Sequence, residues 1–112
     1  MKFNRELLKG HLKPIILSIF NDGPCHAYAF NQRLEDKSLG VFSIAEGTVY
    51  PSLHKFEKEG LIESKWEERE NKPNVKVYSI TTKGKKFLEE SAREWSFFSR
   101  AMNMLLEKSS PE

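Results

Sequence analysis

Apolar residues in the first half of the chain recur every three or four positions, and this spacing predicts three helices. The first covers residues 11–21 and starts near Leu12, because Pro14 fits a first helical turn, where its missing N–H does no harm. The second runs from about His26 to Lys37, and the third covers about 46–59. The side chains expected to face the core are Leu12, Ile15, Ile16, Ile19, Phe20, Tyr28 or Ala29, Phe30, Leu34, Val49, Leu53 and Phe56.

After the third helix the pattern changes to the alternation that is typical of β-strands. Two strands are predicted at 62–68 and 75–81, with a loop at 70–74 between them. The alternation places Trp66 on the same inward side as Ile62. Three helices followed by a hairpin are the order of elements in a winged helix-turn-helix.

The final helix is predicted to be long and to carry an apolar seam. Thr81 or Thr82 caps it, and it continues to about Glu107, before a frayed tail at 109–112. A helix of about 25 residues reaches roughly 37 Å, which the preceding core cannot cover. The seam has the spacing of a coiled coil, namely seven, three, four and three residues: Leu88, Trp95, Phe98, Met102 and Leu105. We therefore expect a homodimer.

The third helix carries a polar, cationic face opposite its apolar stripe. This recognition face comprises Gly47, Thr48, Pro51, His54, Lys55 and Lys58, with Tyr50 on its flank. It contains no carboxylate, since Glu57 and Glu59 fall between the two faces. A short helix of this kind fits the major groove of DNA. Pro51 leaves two starts open, because the helix either kinks there or begins later with Thr48 as N-cap.

Composition narrows the class of protein. The chain has 112 residues, enough for one domain, and a net charge of only +2, so DNA binding must depend on local clusters of cations. A single cysteine, Cys25, excludes an internal disulfide and fits a reducing compartment. No signal peptide or membrane span is recognisable, and we expect a cytoplasmic protein. No enzyme motif is present, and the sequence predicts neither a metal nor a cofactor; Cys25 and His26 have no second pair at ligand spacing.

Four segments together resemble the PadR family of bacterial transcriptional regulators. They are residues 7–20, 23–34, 47–62 and 78–84, and the strongest is Gly-Thr-Val-Tyr-Pro-Ser-Leu-His followed by Glu-Gly-Leu-Ile. Ala27, where the family usually has glycine, is a departure. The resemblance supports a mainly α fold with a small β-hairpin (α+β), a winged helix-turn-helix with a long C-terminal dimerisation helix. Residues 1–81 would form the DNA-binding domain and 82–112 the dimerisation helix, within one compact unit.

The hairpin of the family reaches toward the DNA backbone or the minor groove. Here its candidate contacts are Arg69, Lys72, Asn74 and Lys76, but three glutamates dilute their charge. Two interpretations therefore stay open, a DNA-contacting wing and a hairpin that only stabilises the fold. Near the start of the third helix, Ser43 and Thr48 are expected to join free backbone N–H groups in holding a phosphate.

Trp95 has two interpretations as well. It is either a dimer anchor or, by resemblance to multidrug-binding members of the family, half of a Trp pair that sandwiches a planar aromatic effector. The resemblance implies a dimeric repressor that binds an inverted-repeat operator in double-stranded DNA and is released by a small-molecule effector. The alternative is a winged-helix protein–protein interaction module without a DNA site.

Overall fold

The computed structural model describes residues 5–107, which form five α-helices and a three-stranded antiparallel sheet of order β1-β3-β2. The elements are α1 (Arg5–Lys9), α2 (Leu12–Asn21), β1 (Cys25–His26), a 3₁₀ turn (Ala27–Ala29), α3 (Phe30–Lys37), α4 (Glu46–Lys58), β2 (Ile62–Arg69), β3 (Lys72–Ile80) and α5 (Thr82–Leu106). The mainly α fold with a winged hairpin and a long last helix is confirmed. The tail predicted at 109–112 lies outside the described residues.

The core forms where α2, α3 and α4 pack against the base of the hairpin. Phe20 stacks on Phe30 at 5.8 Å between ring centroids and contacts Tyr78 of β3 at 6.1 Å. The predicted apolar faces of α2 and α4 are buried or half-buried as expected. Of the two alternatives in the second predicted helix, Ala29 packs against the core, whereas Tyr28 is 64% exposed.

The second helix was predicted to start near His26, but in the structure it starts four residues later, at Phe30. Cys25 and His26 form a short strand that pairs with Tyr78 and Val77 of β3, and α3 begins only at Phe30. The strand pairing takes the backbone hydrogen bonds of this segment and buries Cys25, so a long-range contact overrides the local helical spacing.

The third helix begins before Thr48. Ala45 is its N-cap, and Pro51 lies inside the helix. The missing N–H of Pro51 leaves the Gly47 carbonyl without its helical donor, but both residues are exposed, so water can supply one. Asn31 fixes the segment before the helix, since its amide donates to the Ile44 carbonyl at 2.6 Å and its oxygen accepts from the Ile44 N–H at 3.0 Å.

The wing, which comprises β2, β3 and their turn, is tighter than predicted. Arg69 pairs with Lys72, so the loop expected at 70–74 shrinks to Glu70 and Asn71, and Asn71 adopts a left-handed conformation with φ of 58°. Pro73 lies inside β3, where the strand pairs with β2 only.

Trp66 does not face the core as predicted, and its side chain is 66% exposed. It does share a side of the sheet with Ile62, which is buried, but the wing has left the body of the protein by that point. Alternation fixes the side on which a strand residue lies, whereas burial also needs a neighbouring element to cover it.

The ends of α4 and β3 and the start of α5 meet at one point. Thr81 caps α5 by accepting a hydrogen bond from the Gly84 N–H at 3.0 Å, and its own N–H donates to the Leu61 carbonyl at 3.1 Å. Its hydroxyl also donates to the Gly60 carbonyl at 2.6 Å. Gly84 is buried, and a Cβ built on it would lie 2.1 Å from the Leu61 oxygen, so only glycine fits this contact.

Candidate nucleic-acid interface

The recognition face of α4 is presented to solvent. Its residues are exposed except for Thr48, which is half-buried, and Tyr50 is 52% exposed. Among the described residues, His54, Lys55 and Lys58 have no ion pair or hydrogen-bond partner for their side chains. These groups are therefore available to an external ligand that offers acceptors or negative charge.

The start of α4 is less favourable to a phosphate than the sequence suggested. The Thr48 N–H already donates to the Ala45 carbonyl at 2.8 Å, so it is not one of the free amides. Ser43 is exposed just before the buried Ile44. Glu46 is also exposed and lies in the first turn, where its carboxylate would repel an incoming anion. Glu46 was not among the predicted site residues, although it is the first residue of the helix predicted at 46–59 and its charge there is evident in the sequence.

The four candidate contacts of the wing separate into two pairs. Lys72 and Asn74 are exposed near the tip. Arg69 instead folds back, and its Nε and Nη2 donate to the Pro73 carbonyl at 3.1 and 3.0 Å. Lys76 turns toward α4, where its Nζ lies 3.7 Å from the Glu57 carboxylate. Lys65, which sequence analysis did not select, adds another exposed cation on β2.

Acidic and aromatic side chains occupy the rest of the wing and its border with β1. The Glu67 carboxylate lies 2.9 Å from His26 Nε2, and the His26 ring stacks on Tyr28 at 5.0 Å. Glu63, Glu68 and the turn residue Glu70 are exposed. The hairpin therefore has as many carboxylates as cations, so its attraction to a polyanion is local rather than general.

The side chains of Cys25 and His26 lie in different surroundings. Cys25 is buried, and burial raises the pKa of its thiol, while the nearby Arg33 guanidinium opposes that rise. His26 contacts Glu67 instead. Within residues 5–107 no group of three or more histidine, cysteine or acidic side chains is placed to hold a metal ion. No helix in this range is both long and apolar enough to cross a membrane.

The seam of α5 is largely uncovered in the single chain. Leu88 packs against the core, and Met102 is half-buried, but Trp95, Phe98 and Leu105 are 51%, 53% and 80% exposed. The Trp95 ring contacts His11 edge-on at 5.1 Å and stacks with Phe98 at 5.7 Å. Leu106, on the seam side, and Phe97 and Met104, on the opposite side of the same helix, are even more exposed than Trp95.

A groove of about 890 Å³ lies between α1, α2 and α5, and the seam residues Leu88, Trp95 and Phe98 line one side of it. Its lining is mostly apolar: Leu7, Leu8, Gly10, His11, Lys13, Pro14, Ile15, Phe42, Phe87, Leu88, Ser91, Ala92, Glu94, Trp95 and Phe98. The short helix α1, which the sequence analysis did not predict, forms one wall. The groove and the exposed half of α5 are thus two adjoining apolar surfaces.

Three solved structures have the same fold over most of this chain. A PadR-like transcriptional regulator from Bacillus cereus is 33% identical, with a TM-score of 0.78 over 93% of this chain and 99% of that chain. A transcriptional regulator from Clostridium thermocellum is 24% identical, with a TM-score of 0.85 over 95% of this chain and 100% of that one. Bacillus subtilis PadR in complex with operator DNA is 23% identical, with a TM-score of 0.64 over 90% of this chain and 49% of that chain. This chain therefore spans about half of the B. subtilis protein.

The family model described as the transcriptional regulator PadR-like family matches residues 16–90. The match begins within α2, includes α3, α4 and the wing, and ends in the first third of α5. Because it covers most of the chain and all the elements that build the winged helix, the protein belongs to the PadR-like family of transcriptional regulators.

Proposed function

We propose that this protein is a sequence-specific DNA-binding regulator that represses transcription as a homodimer on an inverted-repeat operator. The observation that carries the proposal is the recognition face of α4, which is exposed and offers unpaired donors and cations on a winged helix. B. subtilis PadR, which has the same fold, forms a complex with operator DNA. That likeness supports the same class of ligand for this chain.

Each part of the interface has a distinct proposed role. His54 and Lys55, at the centre of the recognition face, contact base edges or phosphates in the major groove. Tyr50 and Lys58 contact phosphates on either side. Gly47 and Pro51 bring no donor side chain but allow close approach of the backbone, with Ser43 and Thr48 beside them. At the wing, Lys72 and Asn74 reach the DNA backbone from their exposed positions.

Homodimerisation would cover the apolar surfaces of α5. The seam from Leu88 to Leu105 would pair with its copy, and the groove beside α1 would receive the far end of the partner's helix. Phe97 and Met104 lie on the opposite side of α5 from the seam and are 73% and 69% exposed, so covering them would need a second contact. The dimer fixes the distance between two recognition helices and so matches a two-fold operator. Repression follows sterically, because the bound dimer occupies DNA that transcription requires.

Selection of bound sequences from a random DNA pool tests the proposal. We expect an inverted repeat whose two half-sites are separated by about one helical turn or a multiple of it. Affinity should fall steeply with salt, since phosphate contacts release counterions. If no motif is enriched and the affinity for DNA does not change with salt concentration, the protein is instead a protein–protein interaction module. The neutral charge of the wing is the observation on the side of that alternative.

Release by a small-molecule effector is the further part of the proposal. Trp95 borders the groove and stacks on Phe98, so a planar aromatic compound would meet an aromatic wall there. Titration of a Trp66→Phe variant with flat aromatic dyes isolates the fluorescence of Trp95. Saturable quenching together with loss of operator binding is the expected result. If no dye quenches at tens of micromolar, Trp95 serves only as a dimer anchor.

A further inference from the structure

One carboxylate on α4 contacts both strands of the wing. Glu57 lies on the flank of α4 beside the recognition face, and its Oε2 accepts a hydrogen bond from Ser64 Oγ of β2. Its Oε1 lies 3.7 Å from Lys76 Nζ of β3. The two side chains of the ion pair are 29% and 36% exposed, so water screens the pair only in part.

Lys76 is also held by two aromatic rings. Its ammonium lies 5.7 Å from the centroid of Tyr78, which is part of the core, and 5.9 Å from that of Trp66, its cross-strand partner. Both distances fit cation–π contacts. The contacts of Glu57 and Lys76 thus form at the point where the wing leaves the body of the protein, because the residues from Trp66 to Asn74 are mostly exposed.

A contact at this point controls the far end of the wing. The strand from Ser64 to Asn71 spans roughly 23 Å at about 3.3 Å per residue. A rotation of 10° about Ser64 would therefore move the tip by about 4 Å, which is more than a hydrogen bond to a phosphate tolerates. From this geometry we infer that Glu57 is a positioning residue, which sets the angle of the wing to the recognition helix and so places Lys72 on the DNA. The inference rests on the proposed DNA binding.

The positioning role and simple electrostatics predict opposite signs. Glu57→Ala removes a negative charge close to the proposed DNA site, so electrostatics alone would tighten binding. If Glu57 holds the wing, the same change weakens operator binding by about five- to tenfold. It also makes the slope of log affinity against log salt shallower by about one phosphate contact. Glu46→Ala is the matched control, because Glu46 is an exposed carboxylate on the same flank of α4, far from the wing.

The contact itself is tested without DNA by ¹⁵N relaxation of the backbone amides at 67–72, since Pro73 has no N–H. In Glu57→Ala their order parameters should fall toward the range of flexible segments, below about 0.6, whereas Glu46→Ala should leave them as in the wild type. Unchanged order parameters in Glu57→Ala would overturn the inference. This measurement also decides the matter if the wild type binds no DNA, in which case the proposed function alone fails.

A double-mutant cycle with Lys76→Ala separates positioning from the general loss of charge. If Glu57 and Lys76 act as a pair, the double variant binds operator about as weakly as the weaker single variant. Fully multiplicative losses would mean that Lys76 contributes independently of Glu57, which would overturn the part of the inference that rests on their ion pair. Tighter operator binding by Glu57→Ala would show that only its negative charge matters, and this result overturns the positioning role.

Discussion

Gly84 is the residue at which a single methyl group should do the most damage to this fold. It lies in the first turn of α5, buried against the carbonyl of Leu61. In Gly84→Ala the new Cβ would lie 2.1 Å from that oxygen and 2.7 Å from Ile80 Cγ1. The oxygen belongs to the backbone, so no side-chain rotation relieves the clash. Helix and turn must separate by about 0.9 Å to reach 3.0 Å, the shortest distance that Cβ contacts normally show.

The expected loss of stability is the sum of one stabilising and two destabilising contributions. Alanine improves helix propensity by about 1 kcal/mol. Overpacking against the backbone costs about 3 kcal/mol, the upper end of the usual range, because the neighbouring atoms are fixed. The separation also strains the hydrogen bond from the Gly84 N–H to Thr81 Oγ1, and loss of such a cap costs about 1 kcal/mol. Gly84→Ala should therefore lower the free energy of unfolding by about 3 kcal/mol.

Urea unfolding at a fixed protein concentration measures the change, since the stability of a dimer depends on concentration. For a domain of this size the melting temperature should fall by roughly 10–20 °C. Gly47→Ala is the control, because Gly47 is also helical but has no atom within 4 Å of its would-be Cβ. That substitution should raise stability by up to about 1 kcal/mol. A Gly84→Ala variant within about 0.5 kcal/mol of the wild type would refute the packing argument.

Four further predictions concern the proposed interface, the dimer and the cysteine. Lys55→Ala should weaken binding to every DNA sequence and reduce the salt slope by about one; unchanged affinity in filter binding would mean that another face contacts DNA. Phe98→Glu combined with Met102→Glu should give a monomer in light scattering and abolish operator binding, because two charges cannot be buried in the seam. Burial raises the pKa of the Cys25 thiol, so a disulfide reagent should label it far more slowly in the native than in the unfolded protein. Because this pKa is raised in the folded protein, the free energy of unfolding should fall as pH rises above the ordinary thiol value. Urea titrations of Cys25→Ala should lack this contribution. The matched controls for the first two change exposed side chains outside both faces: Lys86→Ala and Ser96→Glu.

Local patterns predicted the elements whose side chains repeat over several turns. The apolar stripe of α4, the hairpin and the Thr81 cap of α5 are all encoded within a few neighbouring residues. The five-residue helix α1 is too short to show a period. The two-residue strand β1 exists only because β3 lies beside it, and no window of sequence around Cys25 contains that information.

The same division holds for the candidate interface. Helical spacing placed His54 and Lys55 on an exposed face, and the structure agrees. It could not assign partners to the cations of the wing. Arg69 turns to the Pro73 carbonyl and Lys76 to Glu57, and the latter choice depends on how the hairpin packs against a helix nearly twenty residues earlier. Charge at a position is visible in sequence, whereas the partner of that charge is a tertiary property.

The meeting of Leu61, Thr81 and Gly84 has a consequence for the operator. Although the wing lies between α4 and α5 in the sequence, the two helices are joined directly in the fold. Hydrogen bonds and a glycine contact connect the residues that end α4 to those that start α5. In the proposed dimer the distance and angle between the two copies of α4 are therefore fixed by the packing of the two copies of α5 at the symmetry axis. One inserted base pair moves a half-site by about 3.4 Å and turns it by about 35° around the DNA, and this frame has no joint to absorb the twist. The spacing between half-sites should therefore be as strict a part of the operator as its bases.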